Sequence, residues 1–442
     1  MARTLLLDMS SDKDARALRR MLAKRRSKGE AELESARGII DDVRTRGDRA
    51  VFEYTQSFDK VSLTARSVRL DSGTFAARAR EVPADLKAAI RGAAARIRAY
   101  HQRQALRPFK MKTAEGVLSQ EIRPLRRVGV YVPGGHTVYP SSVLMNVIPA
   151  QVAGVDEIVV VTPPRGELNP VLAYTFSLLK LTEVYQIGGA QAVAALALGT
   201  RSVPRVDKIV GPGRNIVALA KQLVYGLVDI DMIAGSSEIA ILADSAAPPR
   251  LIALDMLSQA EHGSGDELAV LITESRAVAR RVAKELEQLV ADSPVRTVLA
   301  KLPSSALTIC ITPSRERSIA LVNELAPEHL QIMTTSCRRD LKQVRNAGAV
   351  FLGENTPVPL GDYYVGTNHV LPTAGAARYA SGLGTDDFQK RMSVAEVTRG
   401  GIARAASRVA AIARAEAFEH HAMSVEARLD GSAGKRNSRR EV

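Results

Sequence analysis

The apolar positions along this chain change period. Through residues 10–110 they recur at helical spacing. Ala36, Ile39, Ile40 and Val43 share one helical face, and Ala50, Val51 and Tyr54 resume the pattern after Gly47. Residues 84–100, rich in Ala and Arg, predict another helix. Near residue 126 the pattern becomes short continuous runs. Residues 128–132 (VGVYV) end in Pro133-Gly134-Gly135. Residues 158–162 (IVVVT) form a β-branched run, as a strand buried on both faces would read. Residues 183–187 and 208–210 follow the same plan, each closed by a glycine turn, Gly188-Gly189 and Gly211-Pro212-Gly213. Helices are predicted at 143–153, 170–179 and 190–198. Strand, glycine turn and helix in repetition imply right-handed βαβ units and a parallel sheet. Such sheets bind ligands beyond the carboxyl ends of their strands.

A second α/β region starts near residues 238–242. It continues through strands at 267–273, 307–312 and 349–352 and helices at 276–290 and 315–325. The tail from about 395 reads as helical and rich in Ala and Arg. The last dozen residues, GSAGKRNSRREV, read as a polar, disordered end.

A chain of 442 residues exceeds one simple core and implies two main domains with appendages. Aromatics are 4% and Trp is absent, so the cores must be built from Ala, Val, Leu and Ile. The net charge is +14, but the basic residues are spread along the chain beside acids, as in Asp12-Lys13-Asp14-Ala15-Arg16. This favours a soluble enzyme whose basic surface draws anionic ligands over a nucleic-acid binder. Two cysteines, Cys310 and Cys337, exclude a disulfide framework. No signal peptide and no run of about 18 apolar residues is present, which points to the cytoplasm and away from membranes.

The candidate chemistry lies in separated polar clusters. The chain has seven histidines, and four of them (His262, His329, His369, His421) fall in these clusters. In SQAEHGSG, residues 258–265, Gln259 and His262 are three apart, so on a helix they share a face. The others are APEHL at 326–330, LGDY at 360–363 with Asn368-His369 close behind, and Glu416 with His421. Such grouping suggests a metal or acid/base site, against helix caps and buried histidines satisfied by backbone. Gln259, His262, Asp362 and His421 supply two imidazoles and two oxygens, a set suited to zinc with one open position. Glu328 and His329 can serve as two separate acid/base groups. The glycine turns would let a nucleotide approach the backbone, although neither G-x-G-x-x-G nor a P-loop is present.

Together these segments resemble histidinol dehydrogenases over nearly the whole chain. The resemblance rests on YVPGG at 131–135, PSSVLMN at 140–146, IGGAQAVAALA at 187–197, DMIAGSSE at 231–238, SQAEHG at 258–263, NELAPEHL at 323–330, LGDY at 360–363, TNHVLPT at 367–373 and AEAFEHH at 415–421. It implies an α/β fold of two Rossmann-like domains with parallel sheets and small helical N- and C-terminal extensions. Residues 1–25 would be the N-terminal extension. Residues 26–127 with 238–380 would form the domain carrying zinc and catalysis, 128–237 the NAD-binding domain, and 381–442 a C-terminal extension exchanged within a homodimer. One zinc per subunit would be held by Gln259, His262, Asp362 and His421, the last given to the partner. L-histidinol would meet these four and be held by Ser237, His369 and Glu416, with His329 beside it as general base. Glu328 and His329 would activate water for the second oxidation. NAD would contact Tyr131, Gln191 and the turn at Arg214. Here the chain departs from the family, which has GPGN where this sequence reads Gly211-Pro212-Gly213-Arg214, with Asn215 one place late. It also has Ser236 where the family has proline. The competing readings are a related zinc/NAD dehydrogenase of another small alcohol, such as a sulfonated diol, and a zinc hydrolase. Glu416 favours a cationic amino alcohol over a sulfonate.

Overall fold

A computed structural model describes residues 4–26, 29–134, 138–164, 166–233, 235–263, 265–303 and 305–429. Gly135 of the first glycine turn and the last dozen residues lie outside them. The chain opens on β1 (Leu5–Asp8) and passes through helices to β2 (Phe109–Lys112) and β3 (Gly116–Pro124). Five strands follow, β4 (Arg127–Tyr131), β5 (Glu157–Val161), β6 (Glu183–Tyr185), β7 (Lys208–Val210) and β8 (Asp229–Ile230). Five more are β9 (Glu238–Ala243), β10 (Leu268–Thr273), β11 (Leu307–Ile311), β12 (His329–Met333) and β13 (Ala349–Leu352), and the last is β14 (Gln389–Val397). Two compact units result, residues 1–105 with 125–388, and residues 106–124 with 389–442.

The first unit holds two parallel sheets. One has the order β6-β5-β4-β7-β8, the other β1-β11-β10-β9-β12-β13. In each the chain moves outward from a central strand and then returns to that strand's other side. The order therefore reverses between β4 and β7 and between β9 and β12. Such a reversal splays the connecting loops and leaves a crevice. The strands were legible because they are apolar throughout. Residues 239–243 and 268–272 are each at most 4% exposed, as strands covered on both faces must be.

The packing groups the chain otherwise than the sequence suggested. Ala36, Ile40 and Val51, on the helices Glu30–Arg46 and Asp48–Asp59, share a core with Val159, Val193 and Leu219. Ile90 and Ile97, on the helix Ala84–Gln102, pack with Val130 and Val160. Helical residues expected to belong with 238–380 thus cover the β4–β8 sheet, the apolar surface nearest to them in the chain. The first 25 residues are more than a helical extension. β1 pairs in parallel with β11, and Leu18 of the following helix packs with Leu242 and Ile272.

The second unit is a three-stranded antiparallel sheet, order β14-β3-β2, followed by the helices Arg399–Ala415 and Glu419–Glu426. The C-terminal extension expected to be helical carries these two helices and, ahead of them, one strand. Gln389–Val397, whose two faces each mix polar and apolar residues, pairs with β3 over nine residues, from Gln389↔Pro124 to Val397↔Gly116. Among the described residues no helix is long and apolar enough to cross a membrane.

Candidate active site

The starts of β9 and β12 are adjacent, with His329 registered against Ile239. This puts Glu238 beside the Glu328-His329 pair. One backbone unit then holds both acid/base groups. The Glu238 N–H donates to Glu328 Oε2 at 2.8 Å, and the Glu238 carbonyl accepts from His329 Nδ1 at 3.0 Å. With Nδ1 held by this carbonyl, Nε2 of His329 is turned toward Asp362. It lies 3.5 Å from Asp362 Oδ1. His329 Nδ1 is also 3.5 Å from Glu328 Oε2. The Glu238 side chain, itself buried, accepts from the Ala374 N–H at 2.9 Å and ties in the segment that follows His369.

Burial sets the titration here. It pushes the Glu328 carboxyl up to about 7, against the pull of His329. For His329 burial acts downward, but the Glu328 and Asp362 carboxylates outweigh it and bring the imidazole up to about 9. Burial would raise Asp362, yet the hydrogen bond from His329 and the nearby imidazoles of His369 and His262 keep it below its ordinary value. His369 is lowered by burial. These groups lie at the amino ends of β9 and β12, not the carboxyl ends that the general rule for such sheets favours.

That location matters for charge. The helix Pro249–Ala260 runs back from β9 and brings its carboxyl end, the negative pole, to this side of the sheet. Gln259 sits in its last turn, 1% exposed, and its Oε1 has no hydrogen-bond partner. His262, exposed just beyond, directs Nδ1 at the Gln259 carbonyl 3.0 Å away. Its Nε2 is then free as a ligand, the tautomer that metal-bound histidines usually adopt. Among the described residues no three His, Cys, Asp or Glu side chains already converge as a metal cluster. The donor set nevertheless fits a divalent cation: an unpaired buried amide oxygen, an imidazole nitrogen and the Asp362 carboxylate, beside a helix carboxyl end. Asp255, one turn before Gln259 on the same helix, is 8% exposed, and burial raises its carboxyl to about 6 against one hydrogen bond from Gln331.

Ser237 is half-buried immediately before β9. His369 follows Asn368, whose Nδ2 donates to the Met145 carbonyl at 2.7 Å and lies 3.2 Å from Nε2 of the buried His101. Glu416 caps the carboxyl end of the helix Arg399–Ala415, and His421 packs against the Phe418 ring at 5.1 Å; both are exposed and belong to the second unit.

The NAD candidates gather at the carboxyl ends of the β4–β8 sheet. Tyr131 closes β4, is 4% exposed, and its hydroxyl accepts from the Gly189 N–H at 3.1 Å. Burial takes that phenol up to about 12, so it stays neutral. Gln191 is 1% exposed, and neither amide atom has a partner. Arg214 is exposed and caps the amino end of the helix Asn215–Val224, close enough to Asp59 to oppose the rise that burial causes there. Sequence reasoning missed Glu238 and His101, and gave Asn368 no role beyond its place beside His369. A glutamate opening the strand run EIAILA was the one available sign of the first.

A family model described as histidinol dehydrogenase matches residues 22–429. A protein named histidinol dehydrogenase from Halalkalibacterium halodurans is 45% identical over 402 residues, 90% of this chain and 94% of that protein. One of the same name from Aquifex aeolicus is 45% identical over 411 residues, 92% and 95%. The crystal structure of the histidinol dehydrogenase from Elizabethkingia anophelis superposes with a TM-score of 0.90 at 33% identity, over 98% of this chain and 100% of that one.

Proposed function

The chain belongs to the histidinol dehydrogenase family, and from that premise we propose that it oxidises L-histidinol through L-histidinal to L-histidine, the end of histidine biosynthesis, with NAD as hydride acceptor. The observation that supports this reading best is the shared anchoring of Glu328 and His329 on Glu238, with Asp362 at His329 Nε2. A double oxidation has two kinds of proton to remove. His329, once its imidazole has given up the proton it holds up to about pH 9, takes the alcohol proton as one hydride passes from carbon to NAD. Water then adds to the aldehyde. Glu328, whose raised carboxyl exchanges a proton near neutrality, accepts one from that water. His329, having passed its first proton on to solvent, takes the hydroxyl proton of the resulting hydrate as the second hydride passes to a second NAD, giving the carboxylate.

Gln259, His262, Asp362 and His421 would hold zinc, which would supply Lewis-acid polarisation of substrate oxygen and bind its imidazole and amine. Ser237, His369 and Glu416 would orient the substrate, Glu416 as counter-charge to its amine. Tyr131, Gln191 and Arg214 would receive NAD. His421 would serve the partner subunit's site in a homodimer with exchanged C-terminal segments. The second unit favours such an assembly, since Phe109, Met111, Leu118 and Val397 share one sheet face by register and are exposed. The setting would be the cytoplasm. The test is NADH formation from L-histidinol by purified zinc-loaded protein, with and without EDTA. NAD-independent hydrolysis, or turnover that EDTA leaves untouched, would overturn the assignment.

A further inference from the structure

Lys221 and Asp231 form an ion pair almost wholly inside the protein, with 2% and 1% of their side chains exposed. Such a pair is weak grounds for stability, because removing both charges from water offsets their attraction. Its hydrogen bonds show what it holds. Lys221 Nζ donates to the Gly211 carbonyl at 3.0 Å. Asp231 Oδ2 accepts from the Gly211 N–H at 2.7 Å, and Oδ1 accepts from the Met232 N–H at 2.6 Å. Both backbone polar groups of one glycine are therefore fixed by opposite charges, and charged partners make the stronger hydrogen bonds.

Gly211 occupies a pivotal place. It is the first residue past β7, with φ of 109°, and a Cβ built there would stand 2.1 Å from the Tyr131 carbonyl. From it the turn Pro212-Gly213 leads to Arg214 and the amino end of the helix Asn215–Val224. This is the lip of the β4/β7 crevice opposite Tyr131. The unpartnered, buried Gln191 amide lies in the first turn of the helix Gly189–Leu198, whose Gly189 N–H meets the Tyr131 hydroxyl. We propose that the Lys221–Asp231 pair is a positioning device for dinucleotide binding. It clamps Gly211 so that the turn and helix end behind it meet the anionic pyrophosphate in one fixed pose. Neither residue touches the dinucleotide. The inference rests on the reading of the β4–β8 sheet as the NAD site.

An internal control exists at the other end of the same sheet. Arg127, 10% exposed, pairs with Glu157 and Glu183 at the amino ends of β4, β5 and β6. NADH fluorescence titration of the full-length zinc-loaded protein, run beside thermal melting, separates the cases. The double substitution Lys221→Met with Asp231→Asn removes both charges and leaves Asn able to accept from Gly211. It is expected to weaken NADH binding about tenfold or more. Arg127→Met with Glu183→Gln is expected to change melting but not NADH affinity. If both doubles bind NADH like the parent, or both weaken it in step with their melting, the clamp is refuted while the site stands. If the parent itself binds no NADH, the site reading fails and the clamp with it. Should the first double not fold, Lys221→Arg keeps the charge but moves it off the Gly211 carbonyl. Weakened NADH binding there supports the clamp, and parent affinity overturns it.

Discussion

Asp255→Asn is expected to stabilise this protein, by an amount that grows with pH. The carboxyl is 8% exposed, and burial raises it from 3.8 to about 6. Because the folded value lies above the unfolded one, the folded chain keeps its proton longer. The stability tied to that proton is fully present below pH 3.8 and is lost as pH rises through about 6. The whole interval is worth about 3 kcal/mol at about 1.4 kcal/mol per pH unit. By about pH 5 the parent has lost roughly 1.6 kcal/mol of it, and by about pH 8 all of it. Asparagine has nearly the same shape, still meets Gln331 and never ionises. The gain of the variant over the parent should therefore rise by roughly 1.4 kcal/mol between those two pH values. Urea unfolding of both proteins at the two pH values, in EDTA so that metal does not intervene, measures it directly. A difference independent of pH, or a variant less stable than the parent at about pH 8, would show that Asp255 is solvated or paired in the folded chain.

Glu328→Gln keeps the size of the side chain and the acceptor for the Glu238 N–H, but cannot take a proton. Oxidation of L-histidinal should fall about 10²–10⁴-fold, and the rise of that rate with pH near 7, as the parent's carboxyl ionises, should disappear. Parent-like kcat with L-histidinal would remove Glu328 from the hydration step. His262→Asn and His421→Asn should each lose much of the bound zinc by metal analysis, and mixing the two inactive proteins under proven subunit exchange should restore partial activity. Full zinc occupancy in either, or no recovery, contradicts the shared site. Gly348→Ala would bring a Cβ to 2.6 Å from the Glu328 carbonyl. A loss of about 1–3 kcal/mol in unfolding experiments and a lowered kcat are expected, and an unchanged kcat would show that the Glu328 backbone tolerates the push.

Both parallel sheets were legible because burial on two faces leaves a run such as IVVV at 158–161 nothing else to be. The order of the strands was not, because it depends on which helix faces find which sheet. Ala36, Ile39 and Val43 announce an apolar stripe but not its partner, so the sequence does not say that the helices of residues 30–102 pack with the β4–β8 strands. β14 was missed because its residues show no clean alternation, it sits beside a long Ala/Arg helix, and its partner strand is far away in sequence. Within the site, the polar clusters named the side chains that could act. The sequence could not show that the Glu238 backbone organises them, since a backbone hydrogen bond leaves no residue type behind. The Lys221–Asp231 pair was equally silent, because an ordinary lysine in a helix gives no sign of burial.

The ladder between β3 and β14 has a consequence for synthesis. It joins segments whose contacts, such as Thr398 Oγ1 to the Glu115 carbonyl, are 283 residues apart. A ribosome adding about 5–20 residues per second leaves β3 waiting roughly 15–60 s before β14 exists. During that interval the β3 edge of the β2–β3 hairpin, later covered by β14, stays unpaired. Lys110 and Lys112 on β2, with Glu121 and Arg123 on β3, put charge on the waiting strands, the usual guard against pairing with a stranger. A ribosome stalled short of residue 389 would release a nascent chain whose parallel sheets are already encoded in full but whose hairpin edge stays open, and chaperones should hold that product longest.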